Sequence, residues 1–117
     1  MATRIVADLM IPGRGEPVEH ATVVLDHREI TYAGPTVAAP ASDSDDDVHE
    51  VPVVLPGLWD CHTHFTGMVQ PNIELLGTTD VVVATARSIC DAGAMLDGGV
   101  TSVRDVGGLG CGRAVNE

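Results

Sequence analysis

The sequence has 117 residues, enough for one small domain or a piece of a larger one, and 44% of them are hydrophobic, as in a chain that folds around a core. Its formal net charge is −11, with 6 Lys and Arg against 17 Asp and Glu. Such a chain would repel phosphate, which argues against a nucleic-acid partner. With 1 Trp, 1 Tyr and 1 Phe, the core must be mainly aliphatic.

The cysteines and the N-terminal residues bear on location. Cys61, Cys90 and Cys111 are an odd number without CxxC spacing, which argues against a disulfide framework and a zinc ribbon. The first residues, MATRIVADLM, lack the pattern of a signal peptide, and no window approaches about 18 uninterrupted apolar residues. We therefore expect a cytoplasmic protein with no membrane partner.

The first half of the chain is predicted to form short β-strands. Arg4–Leu9 ends at a turn rich in Gly and Pro, and the runs 21–25 and 29–34 are spaced as in a hairpin. Residues 35–50 are predicted to be a mobile surface loop. The run 51–57 is predicted to be a strand that ends at Pro-Gly, so these elements together make an antiparallel β-module.

The predicted loop contains a run of acids, namely Asp43, Asp45, Asp46, Asp47 and Glu50. A solvated loop is the usual interpretation of such a run. An acidic tract that binds a specific partner, or an adaptation to high salt, remains an alternative.

The second half is predicted to be strand, helix and strand. Residues 58–65 form a β-type run without clean alternation, as in a strand buried on both faces. From Thr79 the pattern is helical, because Val82, Ala86, Ile89 and Leu96 recur near the 3.6-residue period. Thr78 or Thr79 can form the N-terminal cap, and Gly98-Gly99 ends the helix. Residues 100–108 form the next strand, and the tail could begin a second helix. The order indicates an α/β fold with parallel strands, whose two faces this unit alone cannot cover.

The stretch LPGLWDCHTHF contains two histidines, His62 and His64, at the end of an apolar run. Side chains alternate along a strand, so both rings should point to one side, with Asp60 on that side and Cys61 and Thr63 on the other. Two imidazoles placed in this way can bind one Zn²⁺ at about 2.0–2.1 Å. The alternative is a pair of surface or hydrogen-bonded histidines.

Several segments carry a resemblance to a known family. VVLPGLWDCHTHF resembles the first barrel strand of the metal-dependent amidohydrolase superfamily, and GGVTSVRDVGG resembles the second strand of its dipeptidase and carboxypeptidase branch. Together with LMIPGRGEP, these segments look most similar to the ochratoxinase-like amidohydrolases. The resemblance implies an N-terminal part of a (β/α)8 TIM barrel preceded by strands of a small β-sandwich. Residues 1–55 would belong to the sandwich and 56–117 to the barrel, which is incomplete because only two of about eight strands are present.

The resemblance also implies a function. Members hydrolyse amide bonds, here expected in N-acyl amino acids or dipeptide-like small molecules, with two metal ions, usually Zn²⁺, and a bridging hydroxide. His62 and His64 match the first-strand metal ligands, whereas the bridging lysine, two further histidines and the catalytic aspartate are expected beyond residue 117. We therefore expect an inactive isolated chain, and a homo-oligomer because partial sheets expose edges. The alternative is a non-catalytic stub that binds zinc weakly or self-associates.

Other polar residues are weaker candidates. His20, His27 and His49 lie in the β-module, so a ligand role is not expected for them, and Asp60 is expected to support the ligands rather than bind metal. Arg104 and Asp105 end the second barrel strand, where they could contact substrate, form an ion pair or cap a loop. Cys61 is expected to be a small buried group. Cys111 has no evident base partner, and the glycines at 107, 108, 110 and 112 fit a barrel-mouth loop better than a phosphate loop.

Overall fold

The computed structural model describes residues 2–69, 72, 74 and 78–107. The chain divides into two compact units, Met1–Pro56 and Gly57–Glu117. The predicted start of a second helix, Cys111 and the glycines at 108, 110 and 112 lie outside the described residues. Among the described helices, none has the length and apolar character needed to cross a membrane.

The first unit is a four-stranded mixed sheet. Its strands are β1 (Thr3–Met10), β2 (Val18–Asp26), β3 (Glu29–Pro35) and β4 (Asp47–Val54), in the order β3-β2-β1-β4. The pairs β1–β2 and β2–β3 are antiparallel, so the predicted hairpin is present. The four strands form one sheet, and a second layer of the predicted sandwich is not found among the described residues.

The pairing of β4 differs from the predicted antiparallel module, because β4 runs parallel to β1 with Thr3 opposite Asp47. Parallel strands cannot be joined by a tight turn, since the chain must first return to the other end of the sheet. Residues 36–46, which we call the crossover segment, make that return. They include one 3₁₀ turn, Thr36–Ala38, and β4 then begins at Asp47, inside the stretch predicted as a loop.

The crossover segment is held against the sheet by a buried ion pair. Arg4 Nε donates to Asp46 Oδ2 at 2.6 Å, and its terminal nitrogens donate to the carbonyls of Pro40 and Ala41 at 2.9 and 2.6 Å. The Arg4 and Asp46 side chains are only 8% and 4% exposed. The hydrogen bond from Arg4 is the main reason that the pKa of Asp46 lies well below its usual range. Asp46 is therefore a buried anchor, which corrects the prediction that the whole acidic run is a solvated loop.

The core of this unit centres on β2. Ala21, Thr22, Val23 and Val24 are consecutively buried, so both faces of the strand are covered at this point. On one face Thr22 forms a hydroxyl–hydroxyl hydrogen bond with Thr36 of the crossover segment at 3.0 Å. On the other, Ala21 and Val23 pack with Met10, giving an aliphatic and methionine core.

The second unit contains the predicted strand, helix and strand. These are β5 (Leu58–Thr63), α1 (Val81–Asp97) and β6 (Val100–Asp105), with β5 and β6 parallel. The described residues thus supply two strands and one helix, and they do not by themselves show a barrel.

The ends of α1 are set by local hydrogen bonds. The Asp80 side chain caps the N-terminus by accepting from the backbone N–H groups of Val82 and Val83 at 2.9 and 3.3 Å, so the cap is Asp80 and not the predicted Thr78 or Thr79. At the other end, Gly99 takes a φ of +84° and donates to Leu96 O, so the helix ends at the predicted glycine pair.

The buried side of α1 is made of small residues. Within the helix only Ala84 and Ser88 are buried, whereas Val82, Ile89 and Leu96, whose spacing predicted the helix, are 59–72% exposed. Trp59 on β5 is 70% exposed. The described part of this unit therefore leaves much of its apolar surface uncovered.

Candidate metal centre

The two histidines lie at one edge of the parallel pair β5–β6. Thr63 pairs with Asp105, so both strands end at the same level, and Val106 N donates to Thr63 O at 3.0 Å just beyond them. His62 is the penultimate residue of β5, and His64 is the first residue after the strand. Both side chains are exposed at the carboxyl ends of the strands.

The imidazole rings of His62 and His64 are neighbours. Their centroids lie 5.3 Å apart and their planes meet at 71°. Two imidazoles that share one tetrahedral zinc, at about 2.0–2.1 Å from a nitrogen of each, have ring centres about 5 Å apart. The spacing therefore fits a pair of ligands to one ion.

The ring of His64 is oriented by a backbone carbonyl. Its Nδ1 lies 2.5 Å from the carbonyl oxygen of Gly107, which can only accept a hydrogen bond. Nδ1 is therefore the donor, and in the neutral ring Nε2 then has the lone pair that a metal needs. This contact joins residues 43 positions apart, and the sequence predicted only a glycine-rich loop at this place.

Asp60 supports the backbone of the histidine strand. Its carboxylate accepts from the backbone N–H of His62 at 3.0 Å, and its side chain is half-buried. The carboxylate thus fixes the main chain of His62 rather than its ring.

Thr63, between the two histidines, and Cys61, just before them, differ in their exposure to solvent. Thr63 is buried, and its hydroxyl has no hydrogen-bond partner among the described residues. Cys61 is exposed, which corrects the prediction of a buried thiol. Among the described elements, α1 packs mainly against β6.

The chain just after His64 is anchored on α1. Phe65 and Thr66 are each 7% exposed, and Gly67 takes a φ of +60° against the helix backbone. A Cβ at Gly67 would lie 2.1 Å from Ala84 O, so only glycine allows this approach. The small residues of α1 therefore help to fix the segment that carries His64.

Asp105 caps the loop that follows β6. Its Oδ1 accepts from Gly107 N at 2.9 Å, which is the loop-capping alternative among the roles predicted for Arg104 and Asp105. Arg104 is exposed.

No third ligand joins the pair within the described residues, which contain no group of three or more His, Cys, Asp or Glu side chains able to hold a metal. His49 contacts Asp47 at 3.0 Å, and His27 lies 3.8 Å from Asp26. His20 and His27 both take positive φ values, at 50° and 53°. These three histidines belong to the first unit.

Comparisons with known proteins show that the chain is similar to part of several hydrolases. No protein-family model matches it. Its structural neighbours are enzymes of the amidohydrolase family. A prolidase solved with N-methylphosphonate-L-proline matches with a TM-score of 0.77 and 30% identity, over 92% of this chain and 26% of the prolidase. Molinate hydrolase matches with a TM-score of 0.70 and 27% identity, over 89% of this chain and 23% of that protein.

The more specific relationship is to ochratoxinase from Aspergillus niger. The two sequences are 36% identical over an alignment 121 residues long, which covers 98% of this chain and 25% of the relative. The crystal structure of that enzyme matches with a TM-score of 0.84 and 34% identity, over 98% of this chain and 28% of the other. The chain is an ochratoxinase homologue, and it spans about a quarter of the length of the curated relatives it matches.

Proposed function

We propose that the chain is the N-terminal part of a metal-dependent amidohydrolase that hydrolyses the amide bonds of N-acyl amino acids or dipeptide-like small molecules. The activity belongs to the intact protein, in which residues 56–117 begin a (β/α)8 barrel and residues 1–55 contribute strands to a β-sandwich. The exposed free cysteines Cys61 and Cys90 fit a reducing, cytoplasmic setting.

The observation that carries this proposal is the His62–His64 pair at the carboxyl edge of β5 and β6. In (β/α)8 barrels the active site lies at that edge. The 5.3 Å ring spacing and the free Nε2 of His64 suit a shared Zn²⁺. When bound, the metal would activate water and polarise the substrate carbonyl.

The protein's own contribution in this region is to hold and orient the ligands. Asp60 fixes the main chain at His62, Gly107 fixes the ring of His64, and Gly67 anchors the following segment on α1. The remaining ligands and the carboxylate that moves the proton are proposed to come from further along the intact protein. The 117-residue chain alone is therefore expected to show no hydrolysis.

The test uses the intact protein with its native metal and N-acyl amino acids as substrates. We expect a chelator to abolish hydrolysis and Zn²⁺ to restore it. His62→Ala and His64→Ala should each lower the rate of hydrolysis by at least about 100-fold, because loss of a ligand should exceed the 10–100-fold effect of losing a supporting residue. His27→Ala is the matched control because His27 is an exposed turn residue. Full activity in metal-free protein, or in the His62→Ala variant, would refute the proposal.

A second candidate function is a non-catalytic chain that binds zinc weakly or self-associates. The uncovered apolar side chains of the second unit favour it, in particular Trp59 and Leu96 at 70% and 61% exposure. Light scattering on the purified 117-residue chain would detect the homo-oligomer. A monomer at micromolar concentration would remove this alternative.

A further inference from the structure

We propose that Asp105, acting through Gly107, is a positioning residue that sets which nitrogen of His64 is free to bind a ligand. The inference deepens the proposed function and rests on it, because a defined free nitrogen matters only where His64 binds a metal. It concerns the loop Asp105–Gly107, which we call the β6 loop.

The first step is the contact between the β6 loop and the ring. Gly107 O lies 2.5 Å from His64 Nδ1, and a carbonyl oxygen has no hydrogen to give. As long as this carbonyl keeps its place, His64 is held with hydrogen on Nδ1 and with Nε2 free.

The second step is the contact that keeps the carbonyl in place. The N–H of Gly107 donates to Asp105 Oδ1 at 2.9 Å, while the φ of Gly107 is +120°, a value that L side chains rarely adopt. Gly107 is thus bound at its nitrogen by Asp105 and at its oxygen by His64. If the carboxylate is lost, Gly107 N–H is released, and the glycine whose carbonyl oxygen contacts the ring is no longer held at its nitrogen.

The third step is the attachment of the same loop to the histidine strand. Thr63 pairs with Asp105, and Thr63 O accepts from Val106 N at 3.0 Å. The β6 loop therefore contacts β5 at the residue between the two histidines, so its position is defined relative to both.

The ring of His62 is not oriented by the β6 loop in the way that the ring of His64 is. The nearby carboxylate, Asp60, accepts from the backbone N–H of His62, and no hydrogen bond to the ring of His62 is found within the described part of the chain. The two ligands are therefore positioned by different means, one through its main chain and the other through its ring.

Asp105 is not placed to be a ligand itself. The described residues contain no cluster in which a third acidic, cysteine or histidine side chain joins the two rings. A loop cap alone would explain the bond to Gly107, so the decisive measurement is the hydrogen position on His64, which a purely structural cap would not change.

The experiment records long-range proton–nitrogen NMR correlations of the histidine rings in the metal-free 117-residue chain, and then adds Zn²⁺. In the native sequence we expect hydrogen on Nδ1 of His64 and a zinc-induced shift at its Nε2. Asp105→Ala and Gly107→Ala should move the hydrogen towards Nε2 and weaken zinc binding about 10–100-fold. Asp105→Asn should restore both, because its amide oxygen can still accept from Gly107 N.

The matched control is Asp80→Ala. Asp80 also accepts from backbone N–H groups in the second unit, at the start of α1, so its loss weakens the fold without touching the β6 loop. We expect the hydrogen position on His64 to stay unchanged in this variant. Hydrogen on Nε2 in the native chain, or the same shift in Asp80→Ala as in Asp105→Ala, would overturn the inference. The dependence of the Nδ1–H on Asp105 tests the positioning role in this chain, whereas the chelator experiment on the intact protein tests the metal function, so the two failures are distinguishable.

Discussion

The two units of the chain differ in how far their own residues complete their packing. In the first unit, four consecutive residues of β2 are buried, and the crossover segment is fixed to the sheet by the Arg4–Asp46 pair. In the second, a 17-residue helix buries only Ala84 and Ser88. The candidate ligands lie in the second unit, at the exposed end of β5.

This difference separates the sources of stability from those of function. In the first unit, the Arg4–Asp46 ion pair joins β1 to the crossover segment, so both partners belong to that unit. The second unit positions its histidines by hydrogen bonds that involve backbone groups at the strand ends, while several of its large apolar side chains, such as Trp59 and Leu96, remain exposed. The aromatic residues allow each unit to be followed separately, since Trp59 lies in the second unit and Tyr32 in the first.

The largest effect on this comparison is expected from Arg4→Ala. The change removes the cation that Asp46 contacts and frees the carbonyls of Pro40 and Ala41, so the urea midpoint of the first unit should fall further than in any other variant considered below. Urea unfolding followed by far-ultraviolet circular dichroism measures the loss, and Trp59 fluorescence follows the second unit.

The control for Arg4→Ala is Arg28→Ala, in the exposed turn between β2 and β3, which should change stability by less than about 0.5 kcal/mol. Equal effects of the two substitutions would show that the buried pair does not hold the crossover segment.

An intermediate effect is expected from Gly67→Ala in the second unit. The new Cβ would lie 2.1 Å from Ala84 O at a φ of +60°, so the segment after His64 must move away from α1. We expect a loss of more than about 1 kcal/mol in the transition reported by Trp59 fluorescence.

Gly93→Ala is the matched control for Gly67→Ala. Gly93 lies inside α1, and a Cβ there meets nothing within 4 Å, so alanine should stabilise the helix by about 0.5–1 kcal/mol. We expect the two substitutions to change the free energy of unfolding in opposite directions. Equal signs would argue against the close approach at Ala84.

The sequence allowed the local features of both units to be predicted, because they depend on residues close together in the chain. The strand and helix periods, the hairpin and the His62–His64 spacing are of this kind. The periodic residues Val82, Ile89 and Leu96 predicted the helix correctly, although the structure exposes all three. Periodicity identifies a helix without saying which neighbour covers it.

Contacts between distant residues could not be predicted in this way. Asp46 was one of several acids in a polar run, and its partner Arg4 is 42 positions away. The parallel pairing of β4 with β1 depends on the same crossover. In the candidate site, the link from His64 to Gly107 spans 43 positions, and a glycine carries no side-chain pattern that marks its carbonyl as a partner.

The smallest effect is expected from mild acid, and it acts on the first unit. The pKa of Asp46 is lowered in the folded chain from its ordinary value of 3.8, chiefly by the hydrogen bond from Arg4. A carboxylate of this kind contributes stability that is fully present above pH 3.8 and is lost as the pH falls towards the folded pKa. Between about pH 4 and pH 3, only part of this contribution disappears.

The denaturation midpoint of the native chain should therefore fall more steeply between about pH 4 and pH 3 than that of Asp46→Asn, whose side chain does not ionise. Asp45→Asn serves as the control, because Asp45 is an exposed neighbour in the same run. Parallel slopes for the native chain and Asp46→Asn would mean that Arg4 does not stabilise the ionised form of Asp46, and the contrast between the two units would then rest on apolar burial alone.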